Sequence, residues 1–111
     1  MDIKVRQCGA VSVVKPMGAI KGTDADEFEG RLFEIVQENL GKVIIDASAV
    51  PMIDSKGLGS MVSVSQELAQ SGMTLKLCAV SETMRQVIEL TGLSSIFELF
   101  DDVNSAVRSY L

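Results

Sequence analysis

The residue best placed to do chemistry is Ser55, in the run Ile53-Asp54-Ser55-Lys56-Gly57-Leu58-Gly59. This run follows the apolar stretch Lys42-Val-Ile-Ile-Asp46, which reads as a buried strand, and a short loop containing Pro51. Asp54 and Ser55 are both good capping residues, and the apolar spacing beyond them is helical. A serine at a helix N-terminus lies among N–H groups that have no intrahelical acceptor, where a phosphate is electrostatically favoured. Gly57 and Gly59 each cost about 1 kcal/mol against alanine inside a helix. Two such costs in one turn imply close approach to the backbone, either by a docking partner or by the sheet beneath. The chemistry suggested is acceptance of a phosphate at Ser55, read by a partner that needs a low surface. The alternative is that Asp54 and Ser55 only cap the helix and the glycines only allow tight packing.

Other chemistries find little support. With no histidine in the chain, a Ser-His-Asp arrangement is impossible. A Ser55–Lys56 dyad fails because adjacent side chains on a helix diverge. Gly57-x-Gly59 lacks the third glycine of a dinucleotide loop, and no G-x-x-x-x-G-K-[ST] occurs. Cys8 and Cys78 stand far apart without C-x-x-C spacing, so both read as reduced and structural, and no metal site or cofactor is expected. The six methionines fall mostly on expected inward faces and read as core filler. A non-enzymatic binding module is the expectation.

Bulk properties narrow the partners. A net charge of −5 disfavours nucleic acid. Lys4, Arg6, Lys15 and Pro16 interrupt the first twenty residues, which therefore lack a signal-peptide core, and no apolar run reaches the roughly 18 residues of a membrane span. The expectation is a cytoplasmic protein with no direct membrane insertion, a monomer or weak homodimer. At 111 residues the chain suits one domain, 1–111.

The elements that must position Ser55 follow from the patterning. Ile3–Cys8 and Val11–Lys15 flank Gly9-Ala10, a pair suited to a type II′ hairpin turn. Thr23–Glu27 offer cap residues and acids for a helix, with Phe28, Leu32, Ile35, Val36 and Leu40 at inward spacing and Gly41 ending it. The strand Val43–Ile45 leads to the Ser55 helix, whose inward residues are read as Leu58, Met61, Val62, Ser65, Leu68 and Ala69. A strand at Thr74–Cys78, a helix capped by Ser81, a short strand near Ile96–Leu99 and a last helix from Asp101 complete the chain. Such alternation implies an α/β fold with a mixed, mostly parallel sheet of four or five strands, an N-terminal antiparallel hairpin and about four helices.

Asp54-Ser55-x-Gly57-Leu58-Gly59, preceded by an apolar residue, resembles the motif of the bacterial anti-sigma factor antagonists, single-domain members of the STAS family. Gly18-Ala19-Ile20, Leu75–Ser81, Thr83–Leu90, Thr91-Gly92-Leu93 and Ile96-Phe97 extend the similarity over essentially the whole chain. The resemblance implies that Ser55 is phosphorylated by a partner that is both anti-sigma factor and serine kinase. The unmodified form would bind that partner and release a sigma factor, and a PP2C-type phosphatase would reverse the modification. Asp54, Lys56, Gly57, Leu58, Gly59 and Lys21 would line the partner surface, with Gly57, Leu58 and Gly59 as its floor. Three positions depart from the family pattern: Lys56 replaces a small residue, and in Gly18-Ala19-Ile20-Lys21 the residues Ala19 and Lys21 replace an acid and an Asp. Those departures suit a more acidic partner, or else a scaffold or accessory subunit of a signalling or transport-ATPase complex in which Ser55 is never modified. A small-molecule sensor or enzyme holding an anion at the helix end is the third reading.

Overall fold

A computed structural model describes residues 1–111. Strands Ile3–Cys8 (β1) and Val11–Pro16 (β2) form an antiparallel hairpin that Cys8 and Val11 close. Gly9 takes φ 64° and Ala10 remains at negative φ, the combination a type II′ turn requires. Then follow helix Thr23–Glu38 (α1), strand Val43–Asp46 (β3), helix Ser55–Ala69 (α2), strand Leu75–Cys78 (β4), helix Glu82–Leu90 (α3), strand Phe97–Phe100 (β5) and helix Val103–Arg108 (α4). The five strands lie in the order β1-β2-β3-β4-β5, parallel throughout except for the hairpin. This is the mixed α/β sheet with four helices that the sequence implied.

Because successive crossovers step the same way across the sheet, the connecting helices fall on one face. There Val14, Val43, Ile45, Leu75 and Leu77 pack with Phe28, Leu32 and Ile35 of α1, Met61, Val64 and Leu68 of α2, and Met84 and Ile88 of α3. The other face is served only by α4, where Ala106 meets Val11, Ile44 and Cys78, with Val103, Val107 and Tyr110 alongside. The Tyr110 hydroxyl donates to the Val43 carbonyl at 3.0 Å. Lys76, nearly buried on this face, sits 4.0 Å from the Tyr110 ring centre and donates to Ser109 Oγ at 2.6 Å, with Glu98 at 3.4 Å. α4 is therefore fastened by polar groups over a small apolar patch.

Several sequence expectations are corrected here. Leu40 does not point inward: α1 ends at Glu38, and Leu40 and Gly41 take φ 53° and 81° to reverse the chain, leaving Leu40 84% exposed. The N-cap of α1 is Gly22, with no side-chain cap, and Thr23 is already helical. On α2, Val64 and Ser60 are buried, whereas Val62 is only partly so and Ala69 is exposed, since the buried stripe is turned by a residue from the one expected. Of the methionines only Met61 and Met84 are in the core, and Met52 is 45% exposed. No helix is long and apolar enough to cross a membrane.

Candidate functional site

β3 is the central strand, and the loop leaving its C-terminal end delivers the chain to α2. Asp54 is the N-cap, with extended backbone angles, and its Oδ1 accepts from the Gly57 amide at 2.8 Å. Its other oxygen, Oδ2, accepts from the Gly22 amide at 3.0 Å, and Gly22 is the N-cap of α1. One carboxylate thus ties the starts of two helices together. The Gly57 and Gly22 amides hold its pKa below the usual carboxylate value, with a smaller contribution from the Lys56 charge. Backbone bonds continue the stitching: the Ile20 amide donates to Met52 O at 3.1 Å, the Asp54 amide donates to Ile20 O at 3.2 Å, and Ile20 bridges Ile53 in parallel. Deeper in, Ser60 Oγ donates to the Ala25 carbonyl at 2.9 Å. The loop before α1 and the loop before α2 form one rigid platform.

Ser55 is the first residue of α2 and is exposed, and its hydroxyl makes no hydrogen bond within the protein. Lys56 and Lys21 are exposed near it, Lys21 lying between the bridged Ile20 and the bonded Gly22. α2 carries no acid in its first turn, so the N-cap carboxylate of Asp54, bonded to the Gly57 amide, is the negative group set at its positive dipole end.

The two glycines have different duties, and the expected docking floor is corrected accordingly. Gly57 is buried: a Cβ there would lie 2.4 Å from the Ile20 carbonyl oxygen and 2.5 Å from Ile53 Cγ1. It faces the platform because the Ile20 segment packs against the first turn of α2. Leu58 is likewise buried, part of the core cluster. Gly59 is exposed, and nothing lies within 4 Å of where its Cβ would be. So Lys56 and Gly59 of the motif stay exposed with Ser55, as do Lys21 and, unforeseen from sequence, Pro51 and Met52 in the two loops of the platform. No group of three or more His, Cys, Asp or Glu side chains converges as a metal site.

Comparison with known proteins adds to this geometry. The family model for the STAS domain matches residues 2–106. The anti-sigma-F factor antagonist RsfB of Mycobacterium tuberculosis is 30% identical over 107 residues, covering 96% of this chain and 87% of its own. The crystal structure of an anti-sigma factor antagonist from Mycobacterium paratuberculosis superposes with a TM-score of 0.84 at 26% identity, over 97% of this chain and 92% of the other. SpoIIAA, an anti-sigma factor antagonist solved in its unphosphorylated and phosphorylated forms, shares the fold. Its TM-scores are 0.80 and 0.74, at 15% and 17% identity, over 98% and 99% of this chain and 96% and 100% of the other.

Proposed function

The chain belongs to the STAS domain family, and from that premise we propose that it is an anti-sigma factor antagonist switched by phosphorylation of Ser55. In this reading the unmodified protein binds an anti-sigma factor serine kinase through the platform at the start of α2 and so releases a sigma factor. Phosphorylation ends the interaction and a PP2C-type phosphatase restores it. The observation that carries the reading is the position of Ser55: exposed, unbonded, and first in a helix whose cap is supplied by its neighbour Asp54. Support also comes from the relatives, which are themselves named anti-sigma factor antagonists.

The energetics agree with a switch that needs no change of shape. A phosphate adds about −1.5 to −2 charges. At the helix end it gains roughly 0.3–1 kcal/mol from the dipole, so the fold tolerates it. Pressed against a partner, the same group is desolvated or meets like charge, at a cost of several kcal/mol. About 4 kcal/mol is a thousandfold in affinity.

The test is mass spectrometry after incubation with the cognate kinase and ATP, followed by a binding titration of both forms. Phosphate on Ser55 and a large loss of affinity are expected; phosphate only elsewhere, or equal affinities, would reject the reading. Ser55→Asp should fold and bind at least about tenfold more weakly, roughly 1.4 kcal/mol. A second reading, an accessory or scaffold subunit without phosphorylation, is favoured by the exposed Lys21 and Lys56 beside Ser55. Under it the kinase leaves Ser55 unmodified, and Ser55→Ala changes nothing.

A further inference from the structure

On the sheet face that α4 serves, the β1 and β2 end is left open. Lys4, Arg6 and Lys15 stand on this face: the register pairs Lys4 with Lys15 and Arg6 with Val13. They surround a concavity of about 520 Å³ whose floor is Val13, 1% exposed, and Asp46. None of the three cations forms an ion pair, and the Asp46 carboxylate is engaged by the Ser48 amide at 3.0 Å. The charge is segregated. Residues 1–16 hold these three cations against Asp2 alone, a net of +2, which leaves −7 for the rest of a chain whose total is −5.

β1 is also an edge strand, six residues long, with its outer side unpaired. On its opposite face Val5 is 37% exposed. A strand of this length normally invites a second copy to pair with it. Here antiparallel pairing of two β1 strands about a two-fold axis would set Lys4 and Arg6 of both copies on one face, and like charges across strands are destabilising. The same cations favour a strand of opposite charge.

We infer that the β1 edge and its basic face form a docking site for an extended acidic segment of a partner protein, which adds as a sixth strand. Alternate acidic residues of that segment lie over Lys4, Arg6 and Lys15, and the apolar residues between them cover Val5. This site is separate from Ser55 and does not depend on what Ser55 does.

The probe is a blocked peptide of about eight residues alternating Glu and Val, titrated into the ¹⁵N-labelled full chain. Chemical-shift changes are expected on β1 and around Lys15, with affinity falling as salt is raised. Lys4→Glu/Arg6→Glu should weaken binding by at least about tenfold with the circular dichroism spectrum unchanged. Lys4→Gln/Arg6→Gln, which only removes charge, should weaken it less and serves if the reversal variant misfolds. The inference is overturned by equal affinity for a Lys-Val peptide, by shifts confined to Ser55–Gly59, or by no binding. It is also overturned if inorganic phosphate gives the same shifts at comparable affinity, which would make this a small-anion site, or if the unmodified chain sediments as a dimer that Lys4→Glu alters.

Discussion

At the scale of single residues, the two glycines of the motif separate structure from recognition. Gly57 has the Ile20 carbonyl against it, and a backbone oxygen cannot swing aside as a side-chain tip would. Gly57→Ala is therefore expected to cost about 1–3 kcal/mol as overpacking, visible as a drop of several degrees in Tm. Gly59→Ala meets nothing and should stabilise the chain by up to about 1 kcal/mol, yet weaken partner binding under the proposed function, where a methyl group would rise from the proposed docking surface. A Gly59→Ala protein with higher Tm and unchanged affinity would show that Gly59 is outside the interface. Asp54 makes the platform acid-sensitive. Its folded pKa lies below the ordinary value of 3.8, so its stabilisation is complete above that value and is lost as pH falls through the lowered one. Asp54→Asn should remove that part of the acid limb in a pH series of thermal unfolding, while lowering stability at neutral pH.

At the scale of elements, α4 is held over a small apolar cluster by particular polar contacts. Tyr110→Phe removes the hydroxyl that donates to the Val43 carbonyl and accepts from the Val43 amide, and should cost about 0.5–1.5 kcal/mol, read from denaturant midpoints. Beneath α4, burial pushes the Cys78 thiol up to about 11, with the Asp46 and Asp102 charges adding to the effect. A thiol reagent should label the half-buried Cys8 readily in native protein and reach Cys78 only as α4 opens, so Tyr110→Phe should speed that second, slower labelling. Much of this element structure was legible in the chain. The hairpin turn at Gly9-Ala10, the Ser81 cap and the start of α2 at Ser55 depend on residues close in sequence, and local rules capture them. What escaped depends on distant contacts or on where a helix stops. The burial of Gly57 is set by Ile20, far back in the chain, and the outward turn of Leu40 reflects a helix that stops while its apolar period runs on. Whether Gly57 served a docking surface or tight packing was therefore open until the fold placed Ile20 against it.

At the scale of the whole molecule, each strand lies beside its neighbours in sequence, and β3, whose exit loop leads to Ser55, is the middle one. Opening a sheet proceeds most easily from its edges, where strands are paired on one side only. β1 at one border and β5 at the other are paired on one side only, whereas β2, β3 and β4 are paired on both. Native-state amide exchange should accordingly rank the β3 amides as the slowest and those of β1 and β5 as faster; the reverse order would mean that the edges are locked. The platform hangs from β3 and is braced by Asp54 to the start of α1, which follows β2, the strand next to β3. Its lifetime is then that of the whole sheet, and not of its margins. Partial unfolding, however frequent, leaves the surface around Ser55 presented throughout.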